Sequence, residues 1–192
     1  MTRLALIRHG HTEWNRQGRI QGRTDIALEP QAAADLGRLI LPPEWLAADL
    51  VSSPLKRAAQ TAELIADRPP RTIDALTEMD WGDWEGKKGI ELKADPDSGF
   101  RDLEFWGWEY RPPNGESPSD VRARLQGWLE GLSRDTVAVC HIGIMRVLLA
   151  MATGWNFGGP APFRIKRNRL FVIHLDGGEM RHDPDPIRLL ER

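Results

Sequence analysis

Short apolar runs alternate with longer segments of mixed polarity along the chain. The clearest runs, at residues 4–7 and 136–140, are too short for helices and end at polar residues or glycine, which is typical of buried strands. The pattern predicts strands at residues 4–7, 49–51, 71–74, 136–140 and 170–175. Phe163 and Ile165 are candidate partners for the last strand, and the residues after it predict only a polar terminus.

Four of the intervening segments carry helix signals. Pro30 suits a first helical turn, because proline has no N–H to lose there, and Ser53 before Pro54 forms a plausible cap and first-turn pair. The predicted helices span residues 30–41, 54–66, 117–132, with a start at Ser117 or Ser119, and 142–152. Strands that alternate with helices predict an α/β fold, here a three-layer α/β/α sandwich with a mostly parallel sheet.

Residues 76–115, called the tryptophan segment below, differ in composition from the rest of the chain. Glycine, proline and aromatic residues crowd together there, and four of the eight tryptophans lie in it, namely Trp81, Trp84, Trp106 and Trp108. We expect mostly irregular structure, in which the indole rings serve either as core or as the wall of a substrate site. The length of 192 residues fits a single domain over 1–192, with this segment as a cap.

Composition narrows the possible partners and compartments. No apolar stretch approaches the ~20 residues of a membrane span, and the net charge of −2 without a Lys/Arg run argues against nucleic-acid binding. Cys140 is the single cysteine, so no internal disulfide can form, and no Cys/His spacing resembles a zinc site. The opening residues lack the long apolar region of a secretory signal. We therefore expect a cytoplasmic protein without a bound metal.

Charged residues follow three of the predicted strands. Arg8-His9-Gly10 comes after the first strand, residues 52–57 with Arg57 after the second, and His141 after the strand at 136–140. Ligands of parallel α/β sheets bind beyond the carboxyl ends of the strands, so these groups are expected to share one rim. Guanidinium forks and imidazole N–H groups match phosphoryl oxygens in geometry and charge. The sequence thus predicts a pocket for a dianion.

The segment from Leu6 to Asn15, which contains Arg8-His9-Gly10, resembles the RHG motif of the histidine phosphatase superfamily, also called the phosphoglycerate mutase-like family. Other family motifs are resembled in the family's order at residues 21–25, 53–62, 76–78, 84–86, 114–117 and 141–143. This ordered set is far more specific than RHG alone. The resemblance implies a phosphoglycerate mutase-like fold and a phosphomonoesterase that needs neither a metal nor an organic cofactor.

By this resemblance, His9 is the nucleophile that accepts the phosphoryl group. A neutral imidazole, with a reference pKa of about 6.5, can attack at neutral pH if its second nitrogen is fixed by an acceptor. The family uses a backbone carbonyl for this purpose, and Gly10 can provide it. Arg8, Arg57 and His141 would then bind the equatorial phosphoryl oxygens and stabilise the transition state.

Five further residues take roles by the same resemblance. Glu78 matches the general acid/base, and its pKa would have to rise toward neutrality for the carboxyl group to protonate a leaving alkoxide. Asn15, Gln21, Gly22 and Ile142 are expected to bind the substrate. Many relatives have glycine in place of Ile142, whose backbone N–H can still donate.

A rival chemistry starts from Cys140 and Arg146, which enclose five residues between a strand and a helix, as in cysteine-based phosphatases. The enclosed loop has one glycine and three bulky apolar residues, whereas a phosphate cradle needs several free backbone N–H groups. We therefore interpret Cys140 as a small buried strand residue.

Three functions stay open at this point. The first is hydrolysis of a small phosphorylated metabolite through a phosphohistidine, by a monomer or a homodimer. The second is a cofactor-dependent phosphoglycerate mutase, for which the chain is short because mutase relatives carry a longer cap and tail. The third is a protein that binds a phosphorylated metabolite without turning it over.

Overall fold

The computed structural model describes residues 1–192. The α-helices are α1 (Glu13–Arg16), α2 (Pro30–Leu36), α3 (Lys56–Ala66), α4 (Gly89–Ala94), α5 (Pro118–Glu130) and α6 (Ile142–Thr153). The strands are β1 (Thr2–Arg8), β2 (Leu39–Ile40), β3 (Asp49–Ser52), β4 (Arg71–Thr72), β5 (Thr136–Cys140), β6 (Arg169–Asp176), β7 (Glu179–His182), β8 (Ile187–Arg188) and β9 (Leu190–Glu191). None of the helices combines the length and the hydropathy that a transmembrane span needs.

One mixed sheet forms the centre of the molecule. Its strands run in the order β4-β3-β5-β1-β6-β7, and β8 also pairs with β6. The strands β4, β3, β5 and β1 are mutually parallel, whereas β6 is antiparallel to β1 and β7 and β8 are antiparallel to β6. This arrangement confirms the predicted α/β fold with a mostly parallel sheet.

Alternate residues of the central strands face two separate cores. Leu4 and Leu6 of β1 pack in one core with α5 and α6, and Ala5 and Ile7 pack in the other with α2 and α3. Successive side chains of a strand point to opposite faces, so a strand that is covered on both faces must be apolar throughout. The uninterrupted apolar runs of β1 and β5 therefore produce the three layers.

Helix positions match the sequence expectations, but several ends differ. The helix from Pro30 stops at Leu36, not at residue 41, because the chain turns at Gly37 and then pairs as β2 with β9. The helix expected from residue 54 begins at Lys56, and the Ser53 hydroxyl instead accepts a hydrogen bond from the Leu55 N–H.

The helix α5 begins as one of the two expected alternatives. Ser117 is its N-cap, and it forms a reciprocal capping box with Asp120. The helix ends at Glu130, two residues before the predicted end, with Gly131 as the C-cap.

The carboxyl-terminal third departs most from the expectations. The strand β6 pairs with β1, β7 and β8, and Phe163 and Ile165, its predicted partners, lie in the loop that precedes it. The expected polar terminus contains three short strands. Two-residue pairings such as β2 with β9 have no periodicity of their own, so a sequence pattern cannot show them.

The tryptophan segment is largely irregular, as expected, and α4 is its one α-helix. Trp81 and Trp84 each make an edge contact with Trp106, at ring-centroid distances of 5.6 and 6.0 Å. These three rings are buried in the same core as α6. Trp81 and Trp106 also line a cavity at the carboxyl ends of the parallel strands. The rings thus serve both as core and as cavity wall.

Candidate active site

The carboxyl ends of β1, β3 and β5 lie side by side. Arg8 is paired with Cys140 in the sheet register, and the backbone N–H groups of His9 and Ser53 donate to the carbonyls of Cys140 and Val139, each at 3.0 Å. The segments that follow these strands therefore meet at one rim, as predicted. The ring centroids of His9 and His141 lie 5.1 Å apart there.

His9 is buried, and its ring orientation is fixed. Its Nδ1 lies 2.7 Å from the Gly10 carbonyl oxygen, which can only accept, so Nδ1 carries the hydrogen and Nε2 keeps its lone pair. Burial lowers the pKa of His9 well below its usual range, and the charges of Arg57 and Arg8 lower it further. The imidazole is therefore neutral at physiological pH.

Arg57 is completely buried, and its side chain contacts His141 at the rim. Its Nε donates to His141 Nδ1 at 3.2 Å, and its two terminal nitrogens donate to the carbonyls of Thr24 and Gly22 at 2.9 and 2.6 Å. Gly22, predicted to bind the substrate, is placed by this contact against Arg57 and does not line the cavity. Two of the five N–H groups of the guanidinium stay available.

Three of the predicted site residues have a buried nitrogen without a hydrogen-bond partner. These atoms are Arg8 Nε, Gln21 Nε2 and His141 Nε2. His141 Nε2 carries a hydrogen because Nδ1 accepts from Arg57. A buried donor without a partner is costly, and such donors at one rim are suited to binding an anion.

Gln21 is oriented by a small network of polar side chains. The Thr12 hydroxyl and Asn15 Nδ2 both donate to Gln21 Oε1, at 3.0 and 3.3 Å. The amide oxygen of Gln21 is thereby satisfied, whereas its buried Nε2 has no partner, and the residue lines the cavity described below. Thr12 also caps α1 in a capping box with Asn15.

Glu78 is 1% exposed and accepts two backbone hydrogen bonds. The N–H groups of Met79 and Gly143 donate to its two oxygens at 2.8 and 3.2 Å. Burial raises the pKa of Glu78, although these hydrogen bonds and the charge of Arg57 partly oppose the shift. Gly143 allows this close approach, because a methyl group at that position would overlap Glu78 Oε1.

A cavity of about 320 Å³ lies at this rim. Six of the nine predicted site residues line it, namely Arg8, His9, Asn15, Gln21, Glu78 and Ile142. Arg57 and His141 adjoin His9 without lining the cavity. Ile142 is the first residue of α6, so its N–H has no acceptor within the helix and lies at the positive end of the helix dipole.

Sequence reasoning missed two arginines at the site. Arg167, in the loop before β6, donates from Nε to the His9 carbonyl at 3.1 Å and from Nη2 to Asn15 Oδ1 at 2.9 Å. No local pattern marks this residue. Arg146 lines the cavity one turn after Ile142, and the i, i+4 spacing on α6 could have placed it there.

The structure gives no support to thiolate chemistry at the rim. Cys140 is fully buried in β5, and burial raises the pKa of its thiol. A protonated, inaccessible thiol is not a nucleophile. No group of three or more His, Cys, Asp or Glu side chains is placed to hold a metal ion.

Comparison with known proteins identifies relatives over most of the chain. The model of the histidine phosphatase superfamily (branch 1) matches residues 4–183. The uncharacterized phosphatase PhoE of Bacillus subtilis is 32% identical, over 80% of this chain and 79% of that protein. The glucosyl-3-phosphoglycerate phosphatase of Mycolicibacterium vanbaalenii is 35% identical, over 79% of this chain and 74% of its own.

A solved structure extends the similarity to the fold. The crystal structure of phosphoglycerate mutase from Thermus thermophilus is 34% identical and superposes with a TM-score of 0.74. The match covers 100% of both chains. The similarity to this solved structure therefore extends over the whole length of the chain.

Proposed function

The chain belongs to the histidine phosphatase superfamily and is a phosphatase, and on that premise we propose that it hydrolyses small phosphorylated metabolites through a phosphohistidine on His9. One observation carries the proposal. His9 is a neutral imidazole with a free Nε2 lone pair, and it lies among buried N–H donors that have no protein partner.

In the first step, His9 Nε2 attacks the phosphorus atom. The P–N bond forms as the P–O bond to the leaving alcohol breaks, and Glu78, which its raised pKa helps to keep protonated, gives its proton to the leaving oxygen. The Gly10 carbonyl accepts from Nδ1 and stabilises the positive charge that develops on the ring.

Hydrogen-bond donors in fixed positions would stabilise the negative charge of the transferring phosphoryl group. Arg8, the remaining N–H groups of Arg57 and His141 Nε2–H would bind the phosphoryl oxygens, and the Gln21 amide and Ile142 N–H would add neutral donors. Because these donors are held by the protein before the substrate arrives, little reorganisation is needed as charge develops.

In the second step, water replaces the alcohol. The Glu78 carboxylate takes a proton from water as the oxygen attacks phosphorus and the P–N bond breaks. Inorganic phosphate leaves, His9 is again neutral, and Glu78 is again protonated for the next turnover.

Phosphate release from a panel of alkyl phosphates, measured with a chelator present, tests the proposal. We expect turnover by the wild type and by Cys140→Ser, and its loss in His9→Ala. Full activity of His9→Ala, or inactivity of Cys140→Ser in a folded protein, would refute the assignment of the nucleophile.

A phosphoglycerate mutase activity is the second candidate. Chain length was expected to argue against it, but the mutase from Thermus thermophilus matches over the full extent of both chains, so length does not separate the two functions. In a mutase the phosphohistidine returns its group to a bound sugar acid. Mutase turnover primed by a bisphosphate, compared with phosphate release from the same substrate, decides between them.

A further inference from the structure

A second cavity, of about 460 Å³, opens beside the first. The two share part of their lining, namely Asp102, Leu103, Ile142 and Arg146. The remaining wall comes from Glu104 and from the loop that follows α6, between Trp155 and Ile165. A ligand whose phosphoryl group lies at His9 could therefore extend past Ile142 into this second space.

Most of the wall of the second cavity is apolar. The apolar lining residues are Leu103, Ile142, Trp155, Ala161, Phe163 and Ile165. Trp155 is fixed by a hydrogen bond from its indole N–H to the Gly159 carbonyl at 3.1 Å. Phe163 meets this ring edge-on at 88°, with centroids 5.6 Å apart. These two contacts hold the rings of Trp155 and Phe163 at a fixed corner.

The charged residues of the wall are of both signs. Arg146 and Arg164 are matched in number by Asp102 and Glu104, and the Asp102 carboxylate is paired with Lys93 Nζ at 2.6 Å. Six of the ten lining residues are apolar, so the apolar surface of the cavity is the feature that can select a ligand.

We propose that this second cavity is the leaving-group subsite and that it takes phosphomonoesters whose alcohol carries an aromatic or similarly flat apolar ring. The inference rests on the proposed function, which places the phosphoryl group at His9. An apolar ring that binds in the corner between Trp155 and Phe163 is removed from water and makes edge contacts with both side chains. Both effects favour binding.

Two non-hydrolysable ligands separate the subsite from the chemistry. In propylphosphonate and 3-phenylpropylphosphonate a methylene replaces the ester oxygen of ethyl phosphate and 2-phenylethyl phosphate. Calorimetry should show about tenfold or more tighter binding of the phenyl ligand, since a single methylene in an apolar pocket already changes binding by about tenfold. The two corresponding esters should show the same preference in kcat/KM, because both leave as simple primary alcohols.

Filling the cavity provides the decisive comparison. Ala161 is an exposed lining residue, so Ala161→Trp should fold normally and occupy the subsite. We expect it to abolish the preference for the phenyl ligand while leaving the affinity for propylphosphonate unchanged. Ala47→Trp, at an exposed turn on the other side of the sheet, is the matched control and should keep the preference.

Equal affinities of the two phosphonates for the wild type, or a preference that persists in Ala161→Trp, would overturn the subsite. A preference for the phenyl phosphonate without turnover of either ester would support the subsite and overturn the proposed function instead. The two proposals therefore fail separately.

Discussion

The Nε–H of Arg57 donates to Nδ1 of His141 at 3.2 Å, and this bond fixes the hydrogen of the His141 ring on Nε2. The two side chains come from different segments, the start of α3 and the end of β5, and both are fully buried. The contact lets a neutral histidine act as a donor to an anion. Burial and the neighbouring charge of Arg57 lower the pKa of His141 well below its usual range, so the ring stays in this state.

Replacing Arg57 by lysine should test whether the three simultaneous hydrogen bonds of the guanidinium group are needed. An ammonium group keeps the charge but cannot donate at once to His141, Gly22 and Thr24. We expect kcat to fall about 100- to 1,000-fold, in line with the loss of a preorganised transition-state donor. Arg16→Lys, at an exposed ion pair with Glu29, is the control and should leave kcat unchanged. A kcat for Arg57→Lys within threefold of wild type would show that these three hydrogen bonds are not needed for catalysis.

Glu78→Gln should separate proton donation from phosphate binding. The amide cannot protonate the leaving alkoxide, so hydrolysis of an alkyl phosphate should slow by about 100- to 10,000-fold. The inhibition constant for inorganic phosphate should stay within a few-fold, and an aryl phosphate, whose leaving group needs no proton, should be affected less. Unimpaired alkyl phosphate turnover in Glu78→Gln would dismiss its role as the acid.

Gly143→Ala should act through Glu78. A methyl group at Gly143 would overlap the Glu78 carboxylate, so the side chain must move from its two backbone donors. We expect kcat to fall at least about tenfold with little change in the affinity for phosphate. Gly127→Ala, on an open face of α5, is the control, and it should raise the free energy of unfolding by about 0.5–1 kcal/mol without changing kcat. Equal kcat values in the two variants would contradict this account.

The pH profile of kcat/KM should reflect two opposite shifts. The lowered pKa of His9 keeps the ring neutral as the pH falls through about 6.5, so the acidic loss of activity should begin below that value. The raised pKa of Glu78 keeps the acid protonated above its usual range near about 4.3, and activity should decline as the pH rises through this raised value. Glu78→Gln should lack that alkaline decline for the same substrate. If the variant shows the same decline of kcat/KM at alkaline pH, the decline is caused by another group.

Arg167→Ala should reveal a positioning role. Arg167 touches the His9 carbonyl and Asn15 Oδ1 but does not line the first cavity. Its removal should let the His9 segment shift and lower kcat about 10- to 100-fold, with a smaller change in KM. Arg169, two residues along, makes no side-chain hydrogen bond in the fold, so Arg169→Ala serves as the control. A loss confined to thermal stability, with kcat intact, would reduce Arg167 to a structural residue.

Sequence reasoning succeeded where one local pattern determines one structural outcome. The apolar runs of β1 and β5 could only be buried strands, and the polar residues that follow them had to meet at the carboxyl edge, so His9 and His141 were placed together in advance. The antiparallel direction of β6 was not accessible, because an apolar run has no information on strand direction. Arg167 lies 158 residues from its partner His9, and only the folded sheet brings the two together.

The central claim is that His9 carries the phosphoryl group, and trapping it tests that claim most directly. A substrate labelled with ³²P should be mixed with enzyme and quenched in alkaline detergent, and the label on the protein counted. We predict a protein-bound label that survives alkali and is lost in acid, that is absent in His9→Ala, and that persists in the control His11→Ala, which replaces an exposed loop histidine. A label that remains in His9→Ala, or one that is stable in acid, would contradict the mechanism.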